Sequence, residues 1–195
     1  MRSFFVALPL ALVLAACASN DGAGVKETPD NDKIDLSISP KGWVTVKTNA
    51  GRATGYNQND SFYGAWVDDS RQVTELSYQG TEATDIPQTG SASYYGNVVR
   101  VDSDGDIVNA GTSRLNVDFG KKTVDGYLDL DMARDVTLKT GSLNGAKFAG
   151  QATVLGNSGG SYSGTLMGKG ATEAAGIVKF ENNSSLNAVF GGKRY

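Results

Sequence analysis

The chain of 195 residues contains no histidine, one cysteine, two tryptophans and four prolines. The missing histidine removes Ser-His-Asp and Cys-His nucleophilic centres, zinc sites with imidazole ligands, and haem ligation through histidine. A single cysteine, Cys17, excludes an intramolecular disulfide. Cationic clusters are also missing. With 18 Lys and Arg against 21 Asp and Glu, the net charge is −3, and no basic stripe is present to follow a phosphate backbone. Nucleic acid is therefore excluded as a partner. No window carries a sustained 3.6-residue apolar stripe, so helix is expected to be minor.

What is present begins at the N-terminus. Arg2 precedes the 13-residue apolar run "FFVALPLALVLAA", Phe4 to Ala16, which meets Cys17. A membrane-spanning helix needs roughly 20 residues, so this run has the length of a secretory h-region. The ending "LAAC" resembles the lipobox of bacterial lipoproteins, in which the peptide is cleaved before a cysteine that receives a diacylglycerol. Residues 1–16 are thus expected as a signal peptide and Cys17 as the lipidation site. Residues 17–40 are polar and are expected to form a lipidated flexible tether, with the alternating "KIDLSIS" as a candidate for one added strand.

From Trp43 onward the apolar residues recur with a period of two, and 25 glycines help to punctuate the pattern with turns such as "NQND", "DSDGD", "FGKK", "GSLNG" and "GKGAT". The fold class is all-β. The polar link "TDIPQTG", Thr84 to Gly90, divides it. Residues 41–84 supply three or four strands of a small β handle domain. Residues 88–195 supply eight strand candidates, enough to close an antiparallel up-and-down barrel without free edges. Its interior is expected to be filled by Val99, Leu115, Val117, Leu128, Leu130, Phe148, Tyr162, Leu166, Ile177, Phe180, Val189 and Phe190.

Three patterns that suggest chemistry reduce to turns or faces. "DSDGDI" opens like a calcium loop but has Ile107 where glycine is needed and Ser113 where glutamate is needed. Asp129 and Asp131 lie two apart, on the strand face opposite Leu128 and Leu130, with no cleft-lining sugar platform beside them. "SGTLMGKGAT" has three residues between Gly164 and Gly168 where a phosphate loop has four, and Gly170 stands where Ser or Thr is required. No metal site, cofactor or catalytic residue emerges, and an enzyme is not expected. In "GYNQNDSFYGAW", Phe62 and Trp66 share a strand face and read as handle core, whereas Tyr56 and Tyr63 are the candidate ligand-binding aromatics.

The C-terminal half, about Ser91 to Arg194, resembles the β-barrel domains of transferrin-binding protein B. The resemblance is carried by "SASYYGNVV", "SRLNVDFGKKTVDGYLDL", "GAKFAGQA", "GSYSGTLMGKGATEAAGIVKF" and "LNAVFGGKR". Its markers are Gly168, Ala171, Glu173, Gly176, Phe190, Gly191, Lys193 and Arg194, with Ala175 in place of the first glycine of the usual pair. The resemblance implies an outer-membrane lipoprotein, facing the cell exterior, that binds a host protein such as transferrin, haemoglobin or a complement regulator. It further implies work alongside a TonB-dependent receptor and a surface-lipoprotein translocator. Iron or haem acquisition is the expected role. The alternatives are a complement-binding or adhesin lipoprotein on the same barrel, and a periplasmic structural lipoprotein without a host ligand.

Overall fold

A computed structural model describes residues 22–71, 74–131, 135–155 and 157–195. The expected signal peptide and the expected lipidation site Cys17 lie outside the described residues. Among the described residues fourteen strands follow one another. They are β1 (Val25–Glu27), β2 (Lys33–Asp35), β3 (Gly42–Lys47), β4 (Gly51–Asn57), β5 (Ser61–Asp68), β6 (Thr74–Gly80) and β7 (Ser91–Val101). They continue with β8 (Ile107–Asp118), β9 (Thr123–Leu130), β10 (Val136–Asn144), β11 (Lys147–Val154), β12 (Asn157–Met167), β13 (Glu173–Phe180) and β14 (Ala188–Arg194). One short 3₁₀ turn, Ser184–Leu186, interrupts them.

Strands β7 to β14 close into an eight-stranded antiparallel barrel, with β14 returning to pair with β7. Alternation explains the filling: Leu115, Val117, Leu128, Leu130, Phe148, Leu166, Phe180 and Phe190 point inward and are buried together. Large rings sit over glycines of neighbouring strands. A Cβ on Gly164 would lie 2.1 Å from the Phe148 ring, so the barrel's girth there depends on having no side chain.

Three expected filling residues are placed otherwise. Val99, Val189 and Ile177 lie on the outer wall, in the cluster that the handle covers. Period two groups residues by face, but it does not say which face is interior when both are apolar. On β7 the ambiguity is acute, because Val98 and Val99 are adjacent and a register shift falls between them. Val98 takes the interior place.

Strands β3 to β6 form a four-stranded antiparallel sheet, the handle. Residues 22–36, expected as part of a flexible tether, instead build the β1–β2 hairpin over the handle's far face. Ala23, Ile34 and Leu36 join Val44, Ala53, Phe62 and Trp66 in one buried cluster. Polar groups hold this hairpin as well. The buried Lys26 ammonium pairs with Glu75 at 3.0 Å and donates to the Ser77 hydroxyl at 2.8 Å, both on β6. The Asn57 amide donates to the Leu36 carbonyl at 2.9 Å. A polar composition concealed these contacts because few apolar side chains are involved.

Two interior tyrosines make the barrel sensitive to alkali. The Tyr162 hydroxyl lies 2.9 Å from the Val124 carbonyl and 2.7 Å from that of Lys139. Tyr94 donates to the Ala171 carbonyl at 2.7 Å. Burial pushes both phenols up to about 12, with nearby Asp125 adding to the effect at Tyr162. An unfolded tyrosine titrates near pH 10. The folded state therefore holds these protons when the unfolded state has lost them. Stability is expected to be level below about pH 10 and to fall as pH rises toward 12. Denaturant titrations across that range test the slope, and Tyr162→Phe should make it shallower while Tyr94 and Tyr63 keep the rest.

Candidate functional site

The handle sheet aligns one aromatic residue from each strand. Register places Trp43 opposite Tyr56, Tyr56 opposite Tyr63, and Tyr63 opposite Tyr78. The row lies on the sheet face turned toward the barrel, opposite Phe62 and Trp66. Tyr56 stacks on Tyr63 at 5.6 Å between ring centres, and Trp43 meets Tyr56 edge-on at 5.1 Å. Exposure grades along the row, from Tyr63 at 1 % to Trp43 at 41 %.

Of the two tyrosines singled out from sequence, Tyr56 is half-buried and Tyr63 lies inside the handle–barrel joint. The Tyr63 ring packs against Gly191, where an added Cβ would come within 2.4 Å of it. The backbone N–H of Asn97 donates to its hydroxyl at 3.3 Å. Burial pushes the phenol far above its ordinary value. No partner arriving from solvent can touch this ring. Trp43, which sequence reasoning passed over within "WVTVKT", is the exposed member. The signal that locates it is hairpin register: Lys47 pairs with Arg52, and counting back brings Trp43 onto Tyr56.

The motif residues gather at the same joint and at the turn below it. Glu173, almost wholly buried, reaches from the barrel to the handle's β4–β5 turn. Its carboxylate accepts from the N–H of Asn59 at 2.9 Å, the N–H of Asp60 at 3.0 Å and the hydroxyl of Ser61 at 2.8 Å. Gly168 turns at φ 76° directly under the Asp60 carboxylate, and Ala171 adopts φ 57° while offering its carbonyl to Tyr94. The ring of Phe190 covers Gly176 inside the barrel. Arg194 donates to the Gly170 carbonyl at 3.0 Å and lies over the Phe119 ring, and both it and Lys193 are exposed.

At the opposite end the joint is closed by charge. The Asp106 carboxylate bridges Arg52 at 2.7 Å and Arg71 at 3.2 Å, both from the handle. Asp102 caps its own turn by accepting from the N–H groups of Asp104 and Asp106. Beside it opens a cleft of about 910 Å³, with Arg71 and Leu76 on the handle side and Arg100, Val108 and Asn187 on the barrel side. Among the described residues no group of His, Cys, Asp or Glu is placed to hold a metal ion.

A closed antiparallel barrel with a small sheet riveted to its outer wall, and exposed rings and loops at its margins, is a rigid scaffold for presenting a surface. Residues 74–194 match the family described as the C-lobe and N-lobe β-barrels of transferrin-binding protein B, and the chain belongs to that family. Among solved structures it is similar to the haemoglobin receptor HpuA from Kingella denitrificans. Identity is 23 %, the TM-score is 0.69, and the match covers 87 % of this chain and 75 % of that one. For the same receptor in complex with human haemoglobin the values are 24 %, 0.69, 88 % and 76 %. The vaccine antigen transferrin-binding protein B from Haemophilus parasuis matches at 20 % identity and TM-score 0.69, over 90 % of this chain but 41 % of that one. No curated protein matches the sequence.

Proposed function

We propose that this chain is an outer-membrane lipoprotein, anchored through Cys17 and facing the cell exterior, that binds a host iron- or haem-carrying protein and is not an enzyme. One observation carries the reading. A single handle-and-barrel unit accounts for most of this chain and for most of HpuA, whose structure was solved with human haemoglobin. The match covers two-fifths of one transferrin-binding protein B chain and 98 % of another, so haemoglobin and transferrin are both carried into the test. A TonB-dependent receptor would receive the cargo, and a translocator would bring the lipoprotein to the cell surface.

The test is retention of purified haemoglobin, transferrin and serum proteins by immobilised chain spanning residues 17–195 with Cys17→Ser. A bait starting at residue 41 would strip Ala23, Ile34 and Leu36 from the handle core. Retention of haemoglobin or transferrin supports the reading. A complement regulator as sole ligand would move it to immune evasion. No retention, together with resistance to protease on intact cells, would leave a periplasmic structural role.

Trp43 is the side chain expected to matter most for this contact, because exposed aromatics dominate interface energetics. Trp43→Ala is expected to weaken partner binding by about thirtyfold, the hot-spot threshold of about 2 kcal/mol. Loss of the edge-on pair with Tyr56 should also cost folding stability about 1 kcal/mol. Binding titrations and melting curves on the same preparation separate the two effects.

A further inference from the structure

Among the described residues, two buried side-chain polar atoms lack a hydrogen-bond partner: Asn57 Oδ1 and Arg100 Nε. The Asn57 amide belongs to the handle, where its NH2 group already donates to the Leu36, Ser39 and Pro40 carbonyls. Arg100 is a different case, because its orphaned N–H is part of a charged group. Its Nη2 donates to the Ser185 carbonyl, and no carboxylate pairs with it among the described residues. The other described arginines are compensated. Arg52 and Arg71 share the Asp106 carboxylate, Arg114 lies over the Tyr95 ring and Arg194 over that of Phe119. Burial lowers the pKa of Arg100 from its ordinary value. A partly desolvated cation without a counter-charge is costly to hold, and an anion bound beside it would offset that cost.

Arg100 stands on the wall of the cleft of about 910 Å³. That volume falls in the range of small-molecule sites, roughly 300–1,000 Å³. Val101 from β7, Val108 and Ala110 from β8 and Leu76 from β6 give the cleft an apolar lining. Asn187 lines it too. Its Oδ1 accepts from the N–H of Phe180 at 2.8 Å, which leaves its NH2 group as a second donor. The rim also carries acid. Asp102 and Asp131 line the cleft, and Asp104 is exposed on the adjoining turn. Asp102 is already engaged by the N–H groups of Asp104 and Asp106. An acidic rim repels a dianion more strongly than a monoanion, so the cleft favours a single carboxylate over a phosphate.

We propose that this cleft binds a small amphiphilic monocarboxylic acid, its carboxylate against Arg100 and Asn187 and its apolar body along Leu76, Val101, Val108 and Ala110. The site is separate from the Trp43 contact. Trp43 lies where the β3–β4 hairpin brings Gly42 opposite Asn57, at the other end from Arg52 and its link to Asp106. A host protein and a small acid can therefore occupy the molecule together.

The test is calorimetric titration of the chain spanning residues 17–195, with Cys17→Ser, using octanoate, octanol and octyl phosphate. Octanoate is expected to bind one to one and to raise the melting temperature as its concentration increases. Octanol and octyl phosphate should each bind at least about tenfold more weakly, the usual loss when a charge-assisted pair is absent or opposed. Arg100→Met should lower octanoate affinity to the level of octanol. It should melt no lower than the parent chain, because a desolvated charge has been removed. Thr74→Trp, at an exposed position on the handle side of the cleft, should also weaken octanoate with Arg100 intact. Equal affinity for octanoate and octanol, no saturable binding of octanoate, or unaltered affinity in both variants would overturn the proposal. Host-protein retention is measured without any of these ligands, so the two readings fail on separate readouts.

Discussion

Glu173→Ala is expected to lower folding stability by about 3 kcal/mol, because two backbone N–H groups lose their acceptor, each at about 1–3 kcal/mol, and a hydroxyl loses its partner. The N–H groups of Asn59 and Asp60 turn inward toward the barrel and have no other acceptor among the described residues. For a protein of this size the loss corresponds to a melting temperature lower by roughly 6–12 °C. Glu173→Gln should fall between the variants. Its one carbonyl oxygen can accept from Asp60 and Ser61, but its amide N–H groups then face the N–H of Asn59. The handle should loosen before the barrel opens, so hydrogen exchange at residues 58–61 is expected to rise first. An unchanged melting curve and unchanged exchange would show that the latch contributes nothing.

Tyr63→Ala is expected to be at least as damaging, about 3–5 kcal/mol, the usual loss when a large buried ring is truncated. Three surfaces lose their partner at once: the Tyr56 ring, the bare backbone of Gly191, and the Val99 and Val189 side chains on the outer barrel wall. Tyr63→Phe keeps the ring and removes only the acceptor of the Asn97 N–H, so about 1 kcal/mol is expected. Partner affinity should not change in Tyr63→Phe, since the hydroxyl is enclosed in the joint. A selective loss of binding by this variant at full stability would return Tyr63 to the contact surface.

These two residues also show where sequence reading stopped. Tyr56 and Tyr63 look equivalent in "GYNQNDSFYGAW", each an aromatic beside a polar turn. They differ only because the barrel wall covers one and half clears the other. Glu173 is conspicuous in its motif, yet nothing in "GATEAAG" says that the carboxylate leaves its own domain to cap a turn more than a hundred residues earlier in the chain. Trp43 became visible through strand register. Alternation in "KIDLSIS" marked one candidate strand, but not its pairing with β1, because the hairpin's hold on the handle comes from three apolar side chains and a set of hydrogen bonds.

Periodicity, turn chemistry and composition were sufficient for the all-β class, for eight strands after the polar link, and for the exclusion of histidine-dependent chemistry. These are local properties: a strand's alternation and a turn's glycine are written in neighbouring residues. Which apolar face looks into the barrel and which ring is sealed in the joint were decided only by tertiary structure. Each depends on what a distant segment covers, and burial is a property of that pairing rather than of either sequence alone.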